Sequence, residues 1–276
     1  MESNSPPKTE YNFFAPSSRF AFLVRNYISI WQPAGESPFF DKYIPDGSAT
    51  LVFNFEGEVR CFFCQKGNVL PPFFLIAPLT KTVEIEVNPP CRSLVVVCNS
   101  SQFSRFFNLR FDQLADEPYH PASFLGGDVL WQKMKEAGSP EKQIRVFEEF
   151  IQSQLGADEY TSDKIDQIYD YIVSEGGEAN LDLLQKKIGI SPRTFRRHFL
   201  ARTGMNAKTL CRIMRFQRMW DNFLTTGSTD MQEMVFAGHF YDQPHLIRDF
   251  KKLVGELPGT FFKRDQEAIR IISGKK

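Results

Sequence analysis

The spacing of apolar positions divides the chain into three regions. From about residue 11 to residue 100, apolar residues alternate with polar ones or form short runs that Pro and Gly interrupt. Val83–Val87 alternates with a period of two, which predicts a half-buried strand, and the continuously apolar Leu94–Cys98 predicts a strand buried on both faces. The first region therefore predicts a small antiparallel β-sandwich or barrel.

A narrow apolar line on a charged helix marks the second region. Ile144, Phe147, Ile151 and Leu155 recur at steps of three and four residues. Such a line suits contact with one other helix, either in a partner chain or, as the simpler interpretation, in its own domain. Together with the helical third region, we therefore predict an α+β protein with a β-rich domain at residues 1–125, a helical connector at 126–157 and a helical domain at 158–266.

The third region is helical and contains two helix-turn-helix patterns. Ser191–Phe199 and Tyr241–Lys252 each follow a short amphipathic segment and a turn with Gly. Between them, residues 206–225 predict a helix about 30 Å long at 1.5 Å per residue. Successive major-groove faces on one side of B-DNA lie about 34 Å apart. One chain could therefore place two recognition helices in adjacent major grooves of double-stranded promoter DNA.

Capping residues predict where these helices begin. Ser191 is followed by Pro192, a residue that suits the first helical position, and Asp242 precedes the second recognition helix. Thr229 with Gln232 predicts a capping box for the short helix between them. Ser162 or Asp163 is the expected cap of the first helix in the region.

Apolar residues at helical spacing fix the inward faces of both recognition helices and leave the polar residues outside. Phe195 and Phe199 are expected to face inward in the first, and Leu246 and Phe250 in the second. Arg suits guanine, Gln suits adenine and Lys more often meets phosphate. The predicted DNA-contacting residues are Arg193, Thr194, Arg196, Arg197, Gln243, Pro244, His245, Arg248 and Lys251.

Other roles remain open for several of these residues. A surface Arg is often simply solvated, with its stem covering apolar surface. One of Arg196 and Arg197 could instead brace the fold through an acidic residue, and His245 could cap its helix rather than contact DNA. The basic helices could also meet an acidic protein instead of DNA.

Net charge is zero over the whole chain but not within its regions. Residues 1–159 carry 14 Lys and Arg against 19 Asp and Glu, whereas residues 191–264 carry 13 against 6. The segment with both helix-turn-helix patterns is therefore basic, and such a segment attracts polyanions.

Residues 161–264 resemble the DNA-binding domain of AraC/XylS-type regulators. The resemblance implies seven helices with two helix-turn-helix units, and outward recognition-helix faces that read bases. Gln185, Val235, Pro244 and Leu246 depart from the family pattern, which usually has Ala, Ala, Ser and Phe there. The matching residues are Leu184, Ile188–Ser191, Phe195–Phe199, Thr203–Gly204, Arg215, Gly238–Lys251, Gly255, Pro258 and Phe262.

The N-terminal region is more weakly similar to the cupin-like β-rich domain of some of these bacterial regulators. Ile44–Gly47, Leu51–Asn54, Phe103 and Phe106–Phe107 carry this similarity. It implies a sensing or dimerisation domain at residues 1–125 in front of a DNA-binding domain at 158–266. Together, the two resemblances imply a transcription regulator rather than an enzyme, and we expect no catalytic residues and no cofactor. Candidate partners besides DNA are a small-molecule effector, RNA polymerase and a second copy of the chain as a homodimer; no membrane partner is expected.

The cysteines and histidines test an alternative metal-dependent function. The first His is His120, which we expect beyond the strands, so a metal-binding cupin is disfavoured. Cys61, Cys64, Cys91 and Cys98 could hold zinc, as in DNA alkylation-repair proteins that carry the same helix-turn-helix module, or Cys61 and Cys64 could form a redox switch. Buried structural Cys is the commoner role, and we predict no metal.

The chain has no apolar N-terminal signal segment and no run of membrane-spanning length. We therefore expect free thiols in a reducing cytoplasm.

Overall fold

The structure, a computed structural model, describes residues 9–63, 66–114, 119–122, 126, 128–155 and 159–262. The strands in these residues are β1 (Glu10–Phe14), β2 (Val24–Gln32), β3 (Phe39–Tyr43), β4 (Ser48–Phe63), β5 (Lys66–Val69), β6 (Phe73–Ile76), β7 (Val83–Asn99) and β8 (Tyr119–Pro121). The α-helices are α1 (Ser100–Phe106), α2 (Asp128–Ala137), α3 (Pro140–Leu155), α4 (Lys164–Ser174), α5 (Leu181–Ile188), α6 (Pro192–Thr203), α7 (Ala207–Thr226), α8 (Met231–Ala237), α9 (Gln243–Val254) and α10 (Pro258–Phe261). The predicted boundaries of the connector adjoin residues outside these ranges.

All the described strands belong to one antiparallel sheet, so the predicted antiparallel β domain is confirmed. The order is β1-β2-β7-β4-β6-β8, with β3 beside the first half of β7 and β5 beside the far end of β4. The register between β4 and β7 shifts at Asn54/Glu56 and Glu56/Glu58. Such irregularities bend a strand and increase its twist, which allows long strands to contribute to two parts of a curved sheet.

Two predictions about strands change in the structure. Val83–Val87 and Leu94–Cys98 are the two halves of the single strand β7 rather than separate strands. His120 does not lie beyond the sheet, because β8 pairs with β6 and places His120 opposite Leu75. The sequence around this three-residue strand carries too short a pattern to be detected by periodicity.

The helical hairpin of α2 and α3 covers one side of the sheet. Phe147 and Ile151 are fully buried in the same apolar cluster as Phe53 and Leu94. The rings of Phe53 and Phe147 meet edge to face with centroids 5.9 Å apart. The narrow apolar line therefore packs within its own chain, as the simpler interpretation expected.

The C-terminal helices surround α7, and the predicted helical domain with two helix-turn-helix units is confirmed. Trp220 and Phe216 of α7 are buried in the centre of this domain. Ile44, from the loop after β3, is buried in the same cluster. The β domain thus inserts an apolar side chain into the helical core. No helix in the described ranges is long and apolar enough to cross a membrane.

Polar side chains begin most of these helices, largely where the sequence predicts. Asp163 caps α4 in a capping box with Asp166. The prediction for α8 was wrong by one residue, because Asp230 rather than Thr229 accepts from the backbone N–H groups of Gln232 and Glu233. A carboxylate suits this position better than a hydroxyl, since its charge also interacts favourably with the helix dipole.

Candidate nucleic-acid interface

The first helix-turn-helix unit consists of α5, a turn at Gly189–Ser191 and α6. Ser191 accepts a hydrogen bond from the Thr194 backbone N–H at 3.2 Å, which fixes the start of α6. Phe195 and Phe199 are 4% and 1% exposed, and their rings pack with centroids 5.2 Å apart. The inward face of α6 therefore lies where the sequence predicts.

The outer face of α6 carries three arginines. Arg193, Arg196 and Arg197 are all exposed. Arg197 donates to the Nε2 atom of the neighbouring His198 at 3.2 Å, on the surface of the helix. These long cationic side chains therefore have room to reach a ligand outside the domain.

The second unit consists of α8, a turn at Gly238–Asp242 and α9. Leu246 and Phe250 are fully buried, so the inward face again agrees with the prediction. Four predicted contact residues are exposed, namely Gln243, Pro244, Arg248 and Lys251. This face is less basic than that of α6 and offers an amide besides cations.

Two of the predicted contact residues are half-buried and take part in helix caps. The hydroxyl of Thr194 accepts a hydrogen bond from that of Ser191 at 2.8 Å. The backbone N–H of His245 donates to Asp242 at 2.7 Å. The Nε2 atom of the His245 ring lies 3.4 Å from the carboxylate of Asp249. Thr194 and His245 are therefore less available to a ligand than their exposed neighbours.

The ion pair to an acidic residue that was considered for Arg196 or Arg197 is made by Arg202 instead. Arg202 binds both oxygens of Asp163 and lies 3.1 Å from Asp166, whose side chain is fully buried. Within the described ranges, Arg196 and Arg197 make no ion pair with a carboxylate. Burial alone would raise the pKa of Asp163, but hydrogen bonds from Arg202 outweigh it and hold that pKa below its ordinary value.

Sequence reasoning missed exposed residues beside the second unit. Tyr241 is 92% exposed and directly precedes the cap of α9, while Phe236 of α8 is 82% exposed. The sequence could have indicated that Tyr241 is exposed, because it directly precedes the capping residue Asp242. A residue before a cap lies outside the helix, so helical periodicity does not set its packing.

Cys61 and Cys98 lie in separate apolar clusters. Cys61 belongs to the cluster that contains Val52 and Phe74, whereas Cys98 belongs to the cluster that contains Phe53. Zinc needs its thiolates about 2.3 Å away on one centre, and this separation does not fit the four-cysteine site. Cys64 lies outside the described residues. Burial raises the pKa of Cys61 to about 11, which disfavours a thiolate.

A small cavity lies against the sheet, with a volume of about 70 Å³. Its polar lining groups include Thr50, Ser93 and the thiols of Cys61 and Cys91, all uncharged in this setting. The hydroxyl of Tyr43, also at the cavity, lies 2.8 Å from that of Thr50. The remaining lining is apolar, with residues such as Ile28, Val52, Phe74 and Val83.

Comparisons with known proteins find one family model over the β-rich region of the chain and another over its helix-turn-helix region. Residues 184–264 match a helix-turn-helix domain, and residues 12–119 match a domain of unknown function (DUF6597). No curated protein matches the chain significantly.

Several solved structures are similar to this chain at low identity. ToxT from Vibrio cholerae is 10% identical, over 93% of this chain and 97% of its own, with a TM-score of 0.46. Unsaturated fatty acid bound wild-type ToxT is 12% identical, over 95% and 97%, with a TM-score of 0.45. The AraC-like transcriptional activator CuxR is 12% identical, over 77% and 86%, with a TM-score of 0.31.

Proposed function

We propose that the protein is a DNA-binding transcription regulator of the AraC type, and that α6 and α9 enter successive major grooves of one duplex. The match of residues 184–264 to a helix-turn-helix domain supports this function. The observation that carries this proposal is that α6 and α9 both expose polar faces, and that one continuous helix, α7, lies between the two units. α7 has 20 residues, which corresponds to about 30 Å. That length is close to the roughly 34 Å between major-groove faces on one side of B-DNA.

The two recognition helices divide the reading between them. In α6, Arg193, Arg196 and Arg197 are suited to bidentate contacts with guanine or to phosphate. In α9, Gln243 is suited to adenine, and Arg248 to guanine. Because the two faces differ in chemistry, the preferred site is asymmetric, and a single chain binds it without a symmetric partner.

Selection of duplexes from a random library by the full chain tests this function. We expect an asymmetric site with two short conserved parts about one helical turn apart. Affinity for the selected duplex should fall steeply as salt rises, since each neutralised phosphate releases counterions. An acidic protein partner instead of DNA would leave the selection without enrichment, and this outcome would overturn the proposal.

The β domain is the second part of the proposal, as the place where a signal acts. The cavity against the sheet supports a small, uncharged, apolar effector, because its lining is apolar and its polar groups are neutral. At about 70 Å³ it is smaller than an engineered cavity of about 150 Å³ that binds benzene. An effector therefore has to enlarge it, and this enlargement would displace the surrounding strands.

Melting curves with matched small probes test the signal site. Toluene should raise the melting temperature, because a ligand of the native state stabilises it, whereas charged benzoate should not. Val52→Phe fills the cavity from its wall and should abolish the toluene effect. An equal shift in wild type and Val52→Phe would place toluene elsewhere and would contradict this assignment.

A further inference from the structure

The β domain holds the C-terminal end of the second recognition helix. Both the backbone N–H and the hydroxyl of Thr82 donate to the carbonyl oxygen of Leu253, each at 3.0 Å. The last four carbonyl groups of a helix lack partners within that helix. Thr82, which directly precedes β7, therefore caps α9 from another domain.

An ion pair joins the same two parts of the molecule. The Nζ atom of Lys42 in β3 lies 2.9 Å from Glu256, which follows the end of α9 by two residues. Both side chains are largely buried, at 16% and 18% exposure. Lys42 and Thr82 directly precede Tyr43 and Val83, which pair with each other, so both residues lie at the same edge of the sheet. Two hydrogen bonds and one ion pair from one sheet edge therefore fix one helix end.

These contacts leave the DNA-reading side of α9 uncovered. Gln243, Pro244 and Arg248 remain exposed although Thr82 and Lys42 are engaged. Because these contacts cover none of these three side chains, they do not compete with DNA for the surface of α9. Its physical effect is on the direction of α9 instead.

The first recognition helix is anchored to the same domain by a separate set of bonds. Arg202, in the last turn of α6, lies 3.1 Å from Asp166, which accepts a hydrogen bond from Ser101 of α1 at 2.7 Å. Arg105 of α1 reaches the same carboxylate at 3.0 Å. The β domain thus contacts the end of α9 directly, and α1 is linked to the end of α6 through Asp166 of α4.

From these contacts we infer that Thr82 and Lys42 are positioning residues that set the direction of α9 relative to α6. The inference rests on the proposed function, because that direction decides which separation between two half-sites the protein accepts. Tyr43 and Val83, next to the positioning residues in the chain, line the sheet cavity. An occupant of the cavity that moves these two residues would therefore change the accepted separation.

Binding to spacer variants of the selected duplex tests the inference. For wild type we expect about a tenfold or larger loss of affinity when two base pairs are inserted between the half-sites. For the Thr82→Val/Lys42→Gln double variant the loss should shrink to about threefold, because a less fixed α9 can adjust. Thr80→Val is the matched control, since Thr80 is exposed and makes no hydrogen bond to α9 in the described ranges.

Two further measurements separate positioning from damage to the fold. Amide exchange in residues 250–255 should become faster in the double variant but not in Thr80→Val, with the rest of the helical domain unchanged. The charge exchange Lys42→Glu/Glu256→Lys should restore much of the spacer preference that Lys42→Glu loses.

Unchanged spacer preference in the double variant would overturn the inference while leaving DNA binding intact. Tighter binding to every spacer variant would overturn it too, because it would show a contact that restrains binding. If wild type bound no duplex above random DNA, the proposed function and this inference would both fail.

Discussion

The two helix-turn-helix units solve the same structural problem with different chemistry. In the first, a buried carboxylate, Asp166, gathers Arg105 and Arg202 behind α6. In the second, Thr82 satisfies a backbone carbonyl at the end of α9. The first anchor depends on charge in a buried setting and the second on backbone hydrogen bonding. We therefore expect the first unit to respond more strongly to substitution and to acid.

The largest expected effect is on the first anchor. Asp166→Ala should destabilise the fold by about 3–5 kcal/mol, because it removes the fully buried acceptor that Ser101, Arg105 and Arg202 share. Asp166→Asn should lose less, since it retains the shape and an acceptor for Ser101. Urea unfolding measures both, and Asp112→Ala, at a surface pair with Arg110, is the control. A midpoint for Asp166→Ala equal to that of the control would mean that the carboxylate does not anchor the unit.

The next effect compares the two reading faces on the selected duplex. Arg197→Ala and Arg248→Ala should each weaken binding by about 1–3 kcal/mol while the fold survives. Each variant should lose base discrimination only in the half-site that its substituted helix contacts. Base changes in that half-site should therefore lower the affinity of the variant less than they lower the affinity of wild type. Arg60→Ala, exposed on the sheet, is the control for a lost surface charge. Unchanged binding in both variants would count against the assigned faces.

Helix caps allow a smaller comparison between the units. Ser191→Ala and Asp242→Ala should each destabilise the protein by about 1 kcal/mol, because each leaves a backbone N–H at a helix start without its acceptor. Thr229→Ala should change stability much less, since Asp230 caps α8. Thermal unfolding of the three variants measures the difference. A loss in Thr229→Ala as large as in Ser191→Ala would contradict the observed start of α8.

The smallest expected effect is the acid dependence of Asp163, the second carboxylate that Arg202 binds. The folded state lowers the pKa of Asp163 below its ordinary value, so this carboxylate stabilises the fold at pH values above its ordinary pKa of about 3.8. That stabilisation is lost as pH falls through the lower, folded-state pKa. Asp163→Asn should therefore lower stability near pH 6 and flatten its decline below about pH 4. Parallel pH curves for wild type and variant would rule out this contribution.

Local patterns were sufficient to predict the helical region in detail. Phe195, Phe199, Leu246 and Phe250 lie inward as expected, because helical periodicity alone decides which face of an amphipathic helix is apolar. The sequence also showed the exposed cations of both recognition helices. Their roles as DNA contacts remain predictions, as do the domain boundaries.

Short local patterns predicted the β region less completely. β8 was missed because three residues are too few to show a period. The single strand β7 was taken for two strands because a bulge interrupts its alternating pattern. The cap of α8 was assigned to Thr229 because adjacent Thr and Asp are both good caps, and their choice depends on backbone geometry.

By itself, the sequence determined the recognition helices, their buried faces and the basic character of residues 191–264, since these follow from residue type and spacing. The tertiary structure decided which distant groups meet. Ile44 enters the helical core, Thr82 caps α9, and Asp166 pairs with Arg105 and Arg202. Contacts between residues 36 to 171 positions apart leave no periodic signal, because they depend on how finished elements pack together.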